Sequence, residues 1–263
     1  TEYRRQRQMC IRDSFRHVSL PCFRFSMTFY SGHCVEKSRV RERSGYEDGV
    51  GGEAARGYVM VDSMLVPHET YEVHKVHIGA LQKSADMKPF LSDEAGDGSG
   101  LHLIDLEHTD SRMRIVAQFL NRYDPSRILV VSARQYGQRP ARMFAQAIGA
   151  KHIVGRFITG TLTKPGLRTY IEPELIVVTD PQADQQSLSE AVSSGMPVVA
   201  ICDANNNLRN VDLCLPANNK GRQSLSLIYW LLSREVLKAR ESSTMDDDTW
   251  AATQDVADWE STF

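Results

Sequence analysis

Two carboxylates and three groups of cations are the residues of this 263-residue chain whose types and spacing could do chemistry. Asp180 ends the apolar run that starts at Leu175, and Asp203 ends the run that starts at Pro197. Strand C-terminal ends are where α/β enzymes keep their reacting groups, so the pair could act as acids. Each also opens an ordinary turn, Asp-Pro in one case and Asp-Ala-Asn in the other. The plainer expectation is that each carboxylate caps the turn behind it.

The first cation group is Arg134-Gln135-Tyr136-Gly137-Gln138-Arg139-Pro140-Ala141-Arg142, directly after an apolar run. The second is Arg156, Lys164 and Arg168. The third is Lys220 and Arg222, within Asn218–Gln223. Lys83 and Lys88 add two more cations upstream. Arg forks onto phosphate oxygens, Tyr stacks on a base, and a helix start adds a positive dipole. His77 is read as a packed histidine, because the sequence identifies no partner that would activate it.

The devices of nucleotide enzymes are missing. Gly155–Thr161 has the glycine spacing of a phosphate-binding loop, but Thr161 stands where the phosphate-gripping Lys belongs. Gly96-Asp97-Gly98-Ser99-Gly100 precedes a strand instead of following one, the wrong context for a dinucleotide fingerprint. His-Glu-x-x-His and Gly-x-Ser-x-Gly do not occur. Basic groups without a catalytic constellation favour a binder of phosphate backbone, reading the shape of structured RNA, over an enzyme. Neither cofactor nor metal is expected. The alternative is a nucleotide- or small-ligand enzyme on the same fold, with Asp180 and Asp203 as its acids.

The elements that must position these residues follow from periodicity. Leu101–Leu106 reads as a strand. A helix capped by Thr109 or Asp110 follows, with Met113, Val116, Ala117 and Leu120 on one face, and Asp124-Pro125 ends it. Ile128–Ser132 is apolar on both sides, as a central parallel strand must be. Pro140 suits the first turn of the next helix, whose stripe is Met143, Phe144, Ala147 and Ile148, and Gly149 ends it. His152–Phe157 is a short strand. Leu175–Thr179, a helix over Asp184–Ala191, and Pro197–Cys202 form a β-α-β crossover. Val211–Leu215 is an edge strand, and Gly221–Glu241 is a helix with Leu225, Ile228, Tyr229, Leu232 and Val236 on one side. Ser92–Gly100 reads as an acidic, Gly-rich loop. Strands alternating with helices predict a three-layer α/β/α, flavodoxin-like parallel sheet.

Composition divides the chain in three. Residues 1–59 show no period and carry 11 Lys/Arg against 7 Asp/Glu. They are read as a disordered or non-native extension, the run Met9–Ser14 resembling a translated sequencing adapter and Met60 the true start. Residues 60–240 are the α/β body. Residues 241–263 hold seven acids and no Lys or Arg, and are read as a disordered acidic tail. The five cysteines have no Cys-x-x-Cys spacing, and Cys202 and Cys214 are expected as buried free thiols. Cys22, His33 and Cys34 are read as coincidence, not as a metal site. No apolar run approaches a membrane span.

Several of these segments resemble the S2 family of the small ribosomal subunit, in its archaeal and eukaryotic form. Val76-His77-Ile78-Gly79 is similar to its N-terminal signature. Arg134–Pro140 and Gly155–Thr163 resemble its central motifs. Tyr170–Glu190 with Gly195-Met196-Pro197 resembles its second signature, and Asn218–Arg222 with Leu227–Leu232 completes the match. The resemblance covers about residues 64–240. It implies a flavodoxin-like fold and a non-catalytic constituent of the cytoplasmic ribosome. Its partners would be small-subunit rRNA and neighbouring ribosomal proteins, with no DNA and no membrane. The rRNA-binding candidates are Arg134, Gln135, Tyr136, Gln138, Arg139, Arg142, Arg156, Lys164, Arg168, Lys220, Arg222, Lys83 and Lys88. Replacing Arg134 and Arg139 by Ala is expected to weaken RNA binding without unfolding the chain. Where the family has a basic segment before its first long strand, this chain has Ser92–Gly98.

Overall fold

The computed structural model describes residues 64–95, 100–241, 250 and 254–262. The readings of residues 1–59 and of Gly96–Ser99 lie outside them. In chain order the elements are α1 (His68–Val73), β1 (Leu91–Ala95), β2 (His102–Ile104), α2 (Leu106–Leu120), β3 (Ile128–Ser132), α3 (Gln135–Ile148), β4 (Lys151–Val154), β5 (Leu175–Val178), α4 (Gln185–Ser193), β6 (Val198–Cys202), β7 (Leu213–Pro216) and α5 (Arg222–Glu241).

β3 to β7 form one parallel sheet in the order β4-β3-β5-β6-β7. The chain leaves β3 for one neighbour, β4, then returns to the other side with β5. That reversal is the flavodoxin-like topology, and it places a crevice outside the C-terminal ends of β3 and β5. Every residue of β3 and β6 is buried, as two-sided packing of a parallel sheet requires. Ile128, Val130, Leu175, Val177, Val199 and Ile201 face a core built by α2, α3 and α5. Leu129, Val131, Ile176, Val178, Val198 and Ala200 face the other way, against α4 and two loop residues, Met87 and Leu162. The expected three layers are present, with one much thicker than the other.

Several boundaries differ from the sequence reading. Ser92–Ala95, read as the start of a loop, belongs to the strand Leu91–Ala95. It pairs antiparallel with β2 in a separate two-stranded sheet, Leu91 opposite Ile104. Tertiary pairing overrides the poor strand propensity of Asp, Glu and Ala. α2 is capped by Asp105, whose side chain accepts from the Glu107 amide, instead of by Thr109 or Asp110. Both of those are buried inside the helix, where the Thr109 hydroxyl donates to the Pro216 carbonyl at 2.8 Å. β4 ends at Val154, because Gly155 turns the chain at a φ of 86°.

α3 begins at Gln135, so Pro140 sits inside the helix and not in its first turn. Gly137 permits the early start. A Cβ there would come within 2.5 Å of Ser132 Oγ and 2.9 Å of Thr179 Cγ2, so this turn rests on the ends of the strands. The amide that Pro140 lacks would have served the carbonyl of the exposed Tyr136.

The acidic tail, read as disordered, packs on the body in its described part. Trp250 and Trp259 are buried, with ring centroids 6.5 Å apart, and Trp250 lies 6.2 Å from Trp230 of α5. The Trp230 indole donates to the Gln254 carbonyl at 2.9 Å. The physical reason lies in α5, which is buried on every side from Ser224 to Ser233. Its expected stripe meets the sheet and helices, and the tail covers the remainder.

Candidate nucleic-acid interface

At the C-terminal edge of the sheet, the candidate acids and two candidate cations meet one another. Asp180, fully buried, pairs its Oδ2 with Arg134 Nε at 2.5 Å. Its Oδ1 accepts from the Gln182 amide at 3.0 Å and from Asn206 Nδ2 at 2.9 Å. Asp203 accepts at Oδ1 from the amides of Ala204 and Ala80, and pairs its Oδ2 with Lys220 Nζ at 2.7 Å. Asn206 joins the halves: its Oδ1 accepts from the Asp203 amide at 2.7 Å and from Asn219 Nδ2 at 3.0 Å. Both carboxylates therefore organise turns, as the plainer expectation held.

The Arg134–Asp180 pair lies across the crevice where β3 and β5 diverge, the usual ligand position of this topology. Arg134 thus has an internal carboxylate partner, which the sequence reading did not foresee. Next to it, Asp184 Oδ1 accepts from the Ala133 amide at 2.8 Å, and Oδ2 is buried with no partner among the described residues. Burial pushes this carboxyl up to about 6. His77 is half-buried, and its backbone carbonyl accepts from the Ile104 amide at 2.7 Å. The neighbouring Gly79 has no room for a side chain, since a Cβ would lie 2.6 Å from the His102 carbonyl oxygen.

The N-terminal end of α3 and the start of α5 meet the tail. Arg139 Nε donates to the Asp258 carbonyl at 2.8 Å, and Arg222 lies 3.4 Å from Glu260. Gln135, Tyr136 and Gln138 stand on the same first turns, and the Tyr136 ring is exposed. Arg142 is exposed further along α3, and its charge adds to desolvation in lowering the His152 imidazole.

The Gly155–Arg168 loop behaves differently. Its main chain is held from behind by Glu190 of α4, whose buried carboxylate accepts from the Gly160 amide at 2.7 Å and the Leu162 amide at 3.1 Å. A carboxylate of the protein itself thus takes the amides that a phosphate loop would offer to nucleotide, consistent with the missing Lys at position 161. Gly160, at a φ of 94°, makes the turn. With its backbone anchored, the loop presents Arg156, Lys164 and Arg168 outward, with Ile158 and Leu167 exposed among them. None of the three cations forms an ion pair among the described residues. The same holds for the exposed Lys83 and Lys88.

Comparison with known proteins meets this arrangement at the same segments. The family model described as Ribosomal protein S2 matches residues 166–239. The small ribosomal subunit protein uS2 of Methanoregula boonei is 54% identical over 180 residues, covering 68% of this chain and 88% of that protein. Its counterpart in Ignicoccus hospitalis is 50% identical over 186 residues, covering 71% and 87%. This chain belongs to the ribosomal protein S2 family.

S2-family proteins are structural and non-enzymatic, which agrees with carboxylates fully engaged in turns. The described residues contain no group of three or more metal-ligating side chains and no helix long and apolar enough to cross a membrane. Sequence reasoning missed three features of the S2 fold here: Glu190 as the loop anchor, Asn206 as the link between the two acids, and the tail acids over α3 and α5. The first two carry no local signal, because Glu190 grips backbone amides 28 and 30 residues away, and Asn206 joins Asp180 and Asn219 from 26 and 13 residues away. The third had one: tryptophans spaced through an acidic stretch, opposite a helix that is apolar on more than one side.

Proposed function

We propose that this chain is a structural constituent of the small ribosomal subunit in the cytoplasm, and that it holds rRNA chiefly through the Gly155–Arg168 loop. The observation that carries the assignment of residues is the contrast in charge state. Arg134, Lys220 and Arg222 each have a carboxylate partner. Arg156, Lys164 and Arg168 are exposed on an anchored backbone with none among the described residues. Cations already placed and unneutralised release counterions on meeting phosphate, and they lose little side-chain freedom to an internal competitor. Arg142, Lys83 and Lys88 are secondary phosphate contacts, and Tyr136 offers a ring for stacking. The exposed Val73, Leu81, Ile158 and Leu167 are contacts for neighbouring small-subunit proteins. The body and the described tail act as one piece, since Asp62–Phe263 forms one compact unit.

Sucrose-gradient sedimentation of the tagged chain tests this. The wild type should co-migrate with small subunits and survive moderate salt. Arg156→Ala with Lys164→Ala and Arg168→Ala should leave the subunit at lower salt while remaining folded. A triple variant indistinguishable from wild type would remove the loop from the proposal. A folded wild type that sediments as a free monomer would sink the ribosomal assignment itself.

A further inference from the structure

Beside Asn206 the C-terminal edge of the sheet opens into a cavity of about 440 Å³, between the turn after β5 and the loop after β6. Such a volume suits a small planar ligand. Buried Pro181 and Leu188 contribute apolar lining. Gln182 and Gln185 reach it from one side, and Asn205, Asn207 and Asn210 from the other. Among the described residues no Asp or Glu lines it, and Arg209 is its one cation.

That lining selects a ligand class. A divalent cation wants carboxylate oxygens. A bare phosphate wants more than one positive charge. Side-chain amides are neutral and planar, with a donor and an acceptor side by side, and they match the edges of nucleobases. The amides are also available. Gln185 and Asn210 make no side-chain hydrogen bond to the protein among the described residues. Asn207 accepts from the Arg209 amide through Oδ1 at 2.8 Å, leaving its nitrogen unused. Gln182 accepts only a long 3.4 Å contact from Asn205 Nδ2, and its own nitrogen is unused, whereas Asn205 is held at its other end, where Oδ1 accepts from Lys220 Nζ at 3.0 Å. Asn206 is the contrast, with both ends of its amide engaged by Asp180, Asp203 and Asn219.

We infer that this cavity takes the base of one unpaired RNA nucleotide, read by the amides, with Arg209 on the adjoining phosphate. The inference rests on the rRNA-binding reading above and adds a base-reading site to its backbone contacts.

The test is fluorescence anisotropy of the full chain with short single-stranded RNA oligomers. The oligomers differ at one central nucleotide, and one of them is abasic there. The abasic oligomer should bind about tenfold more weakly than the best base, the worth of one or two hydrogen bonds. Gln185→Ala with Asn210→Gly should abolish that difference without lowering the thermal midpoint, since Gly accepts the φ of 69° at position 210. Arg209→Ala should make the salt dependence shallower by about one phosphate. Equal affinity for abasic and base-bearing oligomers, or discrimination that survives in the double variant, would overturn the inference. So would a nucleoside monophosphate that competes as well as the strand, which would mark a small-molecule site. If neither an oligomer nor an rRNA fragment binds even at low salt, the rRNA reading itself has failed. Salt-dependent binding of the rRNA fragment without base discrimination rejects the cavity alone.

Discussion

The C-terminal edge of the sheet and the Gly155–Arg168 loop carry the same kinds of residue and use them in opposite ways. At the edge, Arg134 and Lys220 point inward to Asp180 and Asp203, and the charges cancel inside the fold. In the loop the acid is Glu190, but it grips backbone amides, and the cations are left outside. A cluster of Arg and Lys in a sequence is therefore not one signal. What separates a paired cation from an unpaired one is where the nearest carboxylate lies and what it holds.

The largest expected effect comes from breaking the edge. Arg134→Ala leaves a buried carboxylate without its counter-charge and should cost about 3 kcal/mol of stability. A fall in the urea midpoint checks this, and an unchanged midpoint would make Arg134 a docking residue after all. Next is Glu190→Ala, which strands the buried amides of Gly160 and Leu162 and should cost about 2 kcal/mol. The variant should also weaken RNA binding, because the loop loses its anchor. Binding that stays at wild-type strength would detach the loop's rigidity from its function.

Asp184 sharpens the comparison through pH. Its folded pKa, about 6, lies above the ordinary carboxylate value. The folded state therefore holds the proton more tightly than the unfolded chain, and stability falls as pH rises from about 4 to about 6. Relative to Asp184→Asn, which cannot titrate, wild-type stability should drop by about 2 kcal/mol across that window. Parallel curves for the two proteins would show that Asp184 is ionised at no cost. The smallest effect on folding belongs to Arg156→Ala with Lys164→Ala and Arg168→Ala. Its stability should stay within about 0.5 kcal/mol of wild type. Its RNA affinity should nonetheless fall, with a salt slope shallower by about 2.

Much of the fold was legible because burial on both faces leaves a strong mark. Ile128–Ser132, Leu175–Val178 and Val198–Cys202 are apolar without alternation, and the stripe of α2 through Met113, Val116, Ala117 and Leu120 is buried as read. What failed depended on pairing and packing that residue type does not show. β1 exists because β2 pairs with it. The early start of α3 depends on Gly137 fitting against Thr179 from another strand. The tail is ordered where Trp259 finds the face of α5. For the site, residue type identified the cations, yet only the structure distinguishes those with a carboxylate partner from those without.

The reversal of strand order also has a consequence in time. β3 and β5 sit side by side at the centre of the sheet, but the chain must first complete α3, β4 and the whole Gly155–Glu174 segment before β5 arrives. Pairing the two central strands closes that long loop, and its entropy is lost before the contacts return it. Until then β3 carries an apolar edge with nothing beside it on one side. Refolding should therefore be limited by this docking step. A chain caught before it would expose Ile128–Ser132 to other chains, which makes aggregation the competing fate of the unassembled protein.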